Sequence, residues 1–152
     1  MSKQKRIIWI AAIAAGAYYF VLRNAKALIL SIGAWGFSHI DVNTGRVYIN
    51  LNLDIQNPLK VGMTLRGVHG DVFVNGILAG RIDNEYKFYL ASNTISALPV
   101  QVGLDTSLLT EALLYGLQNG KNISLAFNGN IYVGSLRVAV PVQIEYKRAD
   151  GE

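Results

Sequence analysis

The chain has 152 residues, of which 51% are hydrophobic and only 16% are charged, and it contains no cysteine. An average soluble domain carries about 25% charged residues, so part of this chain is more apolar than a soluble domain requires. The lack of cysteine excludes disulfides, thiolate nucleophiles and thiolate metal sites.

The formal net charge of +4 is concentrated at the N-terminus, because residues 1–26 contain five basic side chains and no acidic one. The remaining residues carry nine basic and ten acidic side chains, a net charge of −1. A nucleic-acid-binding domain is expected to show a basic patch on its folded part. We therefore expect no nucleic-acid partner.

The N-terminal part contains an uncharged run of 16 residues, IIWIAAIAAGAYYFVL, at positions 7–22. A membrane-spanning helix needs about 20 residues, with a range of about 17–25, and arginine stems at both ends can extend a slightly short run. The run predicts a single-pass anchor in the lipid bilayer. Its anchor residues include Ile7, Ile8, Trp9, Ile10, Ile13, Tyr18, Tyr19, Phe20, Val21 and Leu22. Its basic flanks are Lys3, Lys5, Arg6, Arg23 and Lys26.

Three other structures compete with a spanning anchor. A cleaved signal peptide is indicated by Ala25-Lys26-Ala27, which has the A-x-A form. Against it, the apolar run slightly exceeds the usual 7–15 residues, and Arg23 lies between the run and this site. A buried core helix is also apolar all round, whereas a helix lying in the interface needs a polar face that this run lacks. For a spanning helix, three basic residues before the run and two after it favour a cytoplasmic N-terminus and a domain outside the cytoplasm.

The rest of the chain predicts an antiparallel β-domain at residues 38–147, between an apolar juxtamembrane connector at 27–37 and a polar tail at 148–152. The connector fits either a continued helix or a membrane-proximal strand. Beyond it, apolar and polar residues alternate from Val47 to Gln56, a strand that Asn57-Pro58 ends. Asn75-Gly76 and Asn128-Gly129 each predict a hairpin turn, because a type I′ turn needs φ > 0 at both central residues.

One short helix interrupts the strands. Residues 105–107 offer N-cap oxygens, the leucines from Leu108 to Leu117 form a stripe at helical spacing, and Asn119-Gly120 ends it. The closing strand, residues 136–146, contains Pro141, which indicates a sheet edge. Together these features predict a fibronectin-III/immunoglobulin-like β-sandwich of about seven strands with one short helix, preceded by a transmembrane helix.

The order of these motifs resembles the late embryogenesis abundant type 2 (LEA-2) family, also called the WHy (water stress and hypersensitive response) domain. The similar stretches are LNLDIQNPL (51–59), DVFVNGILAGRI (71–82), LPVQVGLDTSLL (98–109) and FNGNIYVGSLRVAVPVQIEY (127–146). The resemblance covers about residues 38–147. It implies a fibronectin-type sandwich with a protective role in desiccation and stress, often behind a membrane anchor, and it carries over no catalytic residue.

The sequence shows no catalytic, metal or cofactor motif. His39 and His69 lie in no ligand spacing, the serines lack a nucleophile context, and the glycines lack a phosphate-loop pattern. We expect neither an enzyme nor a small-molecule ligand. The sequence predicts a non-enzymatic, membrane-anchored binding or protective module. The alternative is a structural subunit, built from copies or protein partners, of a membrane-associated assembly such as a virion or cell envelope complex.

Overall fold

A computed structural model describes residues 3–85 and 87–147 of the chain. A long helix, α1 (Lys3–Ala25), comes first, and most of the remaining chain is strand. The other elements are β1 (Ile29–Asp41), β2 (Arg46–Asn57), β3 (Met63–Val74), β4 (Ile77–Asn84), β5 (Phe88–Leu90), β6 (Thr94–Asp105), a 3₁₀ turn (Thr106–Leu108), α2 (Glu111–Asn119), β7 (Ser124–Val133) and β8 (Val138–Lys147).

The strands form one curled antiparallel sheet in the order β1-β2-β6-β4-β3-β7-β8, with β5 paired to the start of β3. Strands β4 and β6 pair at a single position, Gly80 opposite Leu104. The sheet therefore separates there into two layers, β1-β2-β6 and β4-β3-β7-β8. This arrangement confirms the predicted mainly-β, two-layer antiparallel fold with one short helix behind an apolar N-terminal helix.

The core lies between the two layers and is made by the inward-facing residues of each strand. In β2 every second residue is buried, from Val47 through Ile55, while the residues between them are partly or fully exposed. In β8 the inward face is made by Val138, Val140 and Val142. This period of two is what a sheet with one face in the core and one face in water requires.

The predicted connector at 27–37 is largely strand. Strand β1 begins at Ile29 and pairs with β2 along its whole length, from Ile29 opposite Gln56 to Asp41 opposite Arg46. Leu28 and Ile32 are buried in the common core. The paired sheet thus begins before residue 38. Packing within the domain accounts for Leu28 and Ile32, whereas Ile29 and Phe37 are exposed.

The predicted turn at Asn128-Gly129 is wrong. Both residues lie in the middle of β7, where Gly129 pairs with Gly70 of β3 on one side and with Val142 of β8 on the other. A Cβ on Gly129 would come within 2.5 Å of the Gly70 Cα. The glycine is therefore needed because two backbones approach closely, and the actual β7–β8 turn lies at residues 134–137.

The predicted helix starts later than the sequence suggested. Asp105 caps only the 3₁₀ turn, through Oδ1 accepting a hydrogen bond from the Ser107 backbone N–H. Thr110 is the N-cap of α2, with Glu111 in its first turn, and Gly120 ends the helix in the left-handed conformation at φ 66°.

The strand directions give the domain two distinct ends. Because β1 leaves α1 directly, the connections at 26–28, 58–62, 91–93 and 134–137 lie at one end, called here the anchor end. The connections at 42–45, 75–76 and 106–123, including α2, lie at the opposite end, called here the far end. A strand of 12 residues separates the two ends by about 40 Å.

Candidate membrane anchor and surface sites

Helix α1 has the length and composition of a membrane span. It contains 23 residues, and its most apolar stretch has a mean hydropathy of 1.4 with no residue buried against the rest of the protein. Ile8, Trp9, Ile13, Tyr18, Tyr19 and Phe20 are all exposed. The side chains of Ile7 and Ile10 lie outside the described set. A signal sequence near an N-terminus meets the same criteria of length and composition.

The basic flanks lie at the two ends of α1. Lys3, Lys5 and Arg6 occupy its exposed first turns, Arg23 lies in its last turn, and Lys26 follows it directly. Aqueous exposure of about sixteen apolar residues is unfavourable by roughly 25 cal/mol per Å². The exposed apolar length between charged ends is the arrangement that a bilayer would cover.

The base of α1 is part of the domain. Ala25 and Leu28 are buried in the core, and Leu22 packs against it. A tight turn joins the helix to β1, with the backbone N–H groups of Lys26 and Leu28 donating to the carbonyls of Leu22 (3.0 Å) and Ala25 (3.1 Å). The helix and the sheet therefore meet without a flexible linker.

A cleft of about 260 Å³ lies where the side of α1 meets two connections of the anchor end. Its walls are Phe20, Val21 and Asn24 of the helix, residues 61–64, and residues 133–135. Gly134, in the left-handed conformation at φ 77°, lies against the helix, since a Cβ there would come within 3.2 Å of Val21 Cγ1.

Asn57, the first residue of the predicted Asn57-Pro58 strand end, is a buried hydrogen-bonding centre. Its Nδ2 group faces the carbonyl oxygens of Val61, Leu90 and Ala91 at 2.9, 3.3 and 3.2 Å, and its Oδ1 accepts from the Leu59 N–H at 3.1 Å. The side chain thus joins two connections of the anchor end, 58–62 and 91–93, while Pro58 beside it is exposed. This role is structural.

Asn75 and Gly76 form the predicted hairpin turn at the far end, with φ of 48° and 81°. Asn75 also connects this turn to the start of β7. Its Oδ1 accepts from the Ser124 N–H at 2.6 Å, and its Nδ2 donates to the Asn122 carbonyl at 3.1 Å. These bonds fix the tip of the hairpin to the start of β7.

A network of charges crosses the exposed face of β3 and β4, and sequence reasoning missed it. His69 contacts Asp83 through Nδ1 at 3.0 Å and Glu85 through Nε2 at 2.8 Å. Arg81 pairs with Asp71 at 3.2 Å and with Asp83 at 2.9 Å, and Arg137 pairs with Glu85 at 3.0 Å. The antiparallel register places His69 opposite Asp83 and Asp71 opposite Arg81.

Ion pairing within the network lowers the pKa values of its carboxyl groups and raises those of its guanidinium groups. A hydrogen bond from His69, with help from Arg81, lowers the pKa of Asp83, and a hydrogen bond from Arg137, then His69, lowers the pKa of Glu85. The Asp83 contact raises the pKa of Arg81. The charged groups of Asp83, Glu85, Arg81 and Arg137 are exposed, and His69 is partly buried, so the network orders the surface more than it stabilises the fold.

A larger open cleft, of about 430 Å³, lies where β4 and β6 separate. Arg46, Asp71, Arg81, Asp83 and Asp105 line it, with Gly80 and Gly103 at its base. Its charges of both signs largely pair with one another. Within residues 3–85 and 87–147, no group of three or more His, Asp or Glu side chains has a geometry that could hold a metal ion.

The two histidines lie apart on different surfaces. His39 stacks on Tyr48, with ring centroids 4.7 Å apart, on the β1–β2 layer. His69 lies on the β3–β4 layer and meets the edge of Tyr132. The fold therefore does not bring them together into a shared site.

No protein-family model matches the sequence, and no curated protein matches it. Solved structures do match it. A protein from Archaeoglobus fulgidus is similar over 77% of this chain and 94% of its own, with 13% identity and a TM-score of 0.52. A protein from Arabidopsis thaliana is similar over 77% of this chain and 78% of its own, with 15% identity and a TM-score of 0.55.

The structural neighbours also include a protein whose printed name places it among the late embryogenesis abundant (LEA) proteins. The similarity covers 95% of this chain and 84% of that one, at 10% identity and a TM-score of 0.46. At 13% and 15% identity, the proteins from Archaeoglobus fulgidus and Arabidopsis thaliana show a shared fold.

Proposed function

We propose that the protein is a membrane-anchored, non-enzymatic module of the LEA-2/WHy type, which binds and protects proteins or lipids at a membrane surface. The observation that carries this proposal is the combination of a bare apolar helix with a complete β-domain fixed to its base. The helix supplies attachment, and the domain supplies a surface held close to the bilayer.

The anchor is supported by the exposure of α1 and by its charged ends. A soluble core helix of this composition would be covered by other elements, whereas the described side chains from Lys3 to Phe20 are exposed. Because three basic residues precede the apolar run at 7–22 and two follow it, we place the N-terminus in the cytoplasm and the domain outside it.

The protective role is supported by the motif series at 51–59, 71–82, 98–109 and 127–146, and by the fold that these motifs adopt. The surfaces offered for binding are sheet edges and charged faces. Strand β8 is the last strand of the order, and β6 pairs with β4 at only one position, so both offer backbone groups to an extended partner. The Asn75-Gly76 tip is a third contact surface.

A client-aggregation assay tests the protective role. Vesicles carrying the full chain are mixed with a heat-sensitive enzyme and dried or heated, and light scattering is compared with that of empty vesicles. The matched control is Asn57→Asp, which keeps the anchor and removes the buried hydrogen bonds of the domain. We expect the wild-type chain alone to suppress aggregation. Scattering equal to that of empty vesicles would contradict the protective role, and an architectural subunit would then be favoured.

A further inference from the structure

The contact between α1 and the domain fixes the position of the domain along the helix axis. Val21 is the second-last residue of the apolar run and lies about 3 Å along the helix axis from Arg23, the first charged residue after it. Gly134 lies directly against Val21, and Phe20 shares a cleft with Val61 and Gly62. Two connections of the domain are therefore level with the last turn of the apolar helix.

We propose that the anchor end of the domain is embedded in the headgroup region of the bilayer, so that the connections at 58–62 and 134–137 form a second membrane contact beside α1. This inference rests on the proposed membrane anchor. A spanning α1 carries Phe20 and Val21 at the boundary of the hydrocarbon region, and the residues packed against them lie at the same depth.

The side chains of these two connections suit that environment. Val61 is 48% exposed and Leu136 is 50% exposed, on segments that point away from the core. Exposed apolar residues occur at the far end too, Val42 among them, so exposure alone does not identify the membrane side. The contact with α1 identifies the membrane side of the domain, because only the anchor end lies beside the helix.

The charges of the anchor end suit a phosphate-rich surface. The connections at 26–28, 58–62, 91–93 and 134–137 contain no acidic residue and three basic ones, Lys26, Lys60 and Arg137, of which Arg137 pairs with Glu85 of the neighbouring β4–β5 connection at 3.0 Å. Those of the far end contain Glu111 and Lys121, which cancel. Basic side chains beside a bilayer are attracted to anionic lipid headgroups.

Depth measurement with spin labels tests the inference on the full chain. Because the protein has no cysteine, a single label can be attached through Val61→Cys, Leu136→Cys, Val42→Cys or Ile13→Cys. Each labelled chain is reconstituted in vesicles of phosphatidylcholine and phosphatidylglycerol. Collision with oxygen, which concentrates in lipid, is compared with collision with a water-soluble nickel chelate.

We expect the labels at 61 and 136 within about 10 Å of the phosphate level and the label at 42 in bulk water, with the label at 13 in the hydrocarbon. Labels at 61 and 136 as accessible to nickel as the label at 42 would overturn the second contact while leaving the anchor intact. A water-accessible label at 13 would overturn the anchor itself. All four sites are outside the folded core, and Val61→Cys alone suffices if Leu136→Cys lowers the melting temperature.

Discussion

At the residue scale, Asn57 shows how one polar side chain holds several connections together. It is the only polar residue among the fully buried ones that the structure describes, and it donates toward three carbonyl oxygens. The dipeptide Asn57-Pro58 was predicted to end a strand, and it does. Its greater role, joining 58–62 to 90–91, depends on segments 33 residues apart in sequence that no local pattern connects.

Replacing this amide by a carboxylate tests that role. Asn57→Asp keeps the shape of the side chain but turns an acceptor oxygen toward carbonyl oxygens in a buried position. We expect the free energy of unfolding to fall by about 3 kcal/mol. Asn50→Asp, on the exposed face of the same strand, is the matched control and should change it by about 0.5 kcal/mol or less. Urea unfolding measures both, and equal effects would contradict the buried role of Asn57.

The His69 network predicts a specific pH dependence of stability. The folded-state pKa values of Asp83 and Glu85 are lowered relative to the unfolded chain, so their contribution is fully present above the unfolded values and is lost as the pH falls through the folded ones. At neutral pH the wild-type protein should have a higher melting temperature than the Asp83→Asn/Glu85→Gln variant. This difference in melting temperature, the gap, should narrow as the pH falls from about 5 toward 3. A gap that is independent of pH would show that the network contributes nothing through ionisation.

At the element scale, two identical dipeptides have opposite structures. Asn75-Gly76 is the hairpin turn that its flanking apolar runs predicted, with positive φ at both residues. Asn128-Gly129, between Phe127 and Asn130, continues as strand, because Gly129 faces Gly70 and Val142 on neighbouring strands. The sequence shows the preference of a dipeptide for a turn, but not the partner strands that override it.

The charged network could not be predicted from the sequence for a similar reason. Counting back from a two-residue turn at Asn75-Gly76, a regular hairpin would place His69 opposite Ile82. A bulge at Ala79 shifts the register by one residue, so that His69 faces Asp83. The one extra residue in the bulge thus decides which side chains of β3 and β4 lie opposite each other. The composition of β4 does not predict this bulge.

The close approach of β3 and β7 can be tested with one methyl group. Gly129→Ala would place a Cβ within 2.5 Å of the Gly70 Cα, where backbone rather than a flexible side chain is in the way. We expect a loss of about 2 kcal/mol or more in unfolding free energy. Gly36→Ala in β1, where nothing lies within 4 Å of the new atom, is the control and should be neutral or slightly stabilising. Comparable melting temperatures for both variants would contradict the close approach.

At the scale of the whole molecule, the helix and the domain form a continuous structure. The sequence predicted the β-class, the alternating strands, the short helix and the apolar N-terminal segment, because each depends on local periodicity. It left residues 27–37 undecided between helix and strand, because a short continuous apolar run is compatible with both. The pairing of β1 with β2, which resolves the question, is a long-range contact.

Truncation tests how far the folded domain extends toward the N-terminus. A chain of residues 27–152 keeps all of β1, whereas a chain of residues 38–152 loses Leu28, Ile32 and most of the pairing with β2. We expect the longer chain to be soluble and to melt cooperatively. The shorter one should melt at lower temperature or aggregate, because it exposes the edge of β2 and uncovers the core. Equal melting temperatures would show that β1 before residue 38 is dispensable.

The central claim is that α1 remains attached and spans the bilayer. Alkaline carbonate extraction of membranes from expressing cells, followed by mass measurement of the chain, tests it most directly, because it separates integral from peripheral proteins and detects cleavage. We expect the chain to stay in the membrane pellet with residues 3–25 present. Recovery of the chain in the soluble fraction, or a mature form cut near Ala25-Lys26-Ala27, would contradict it.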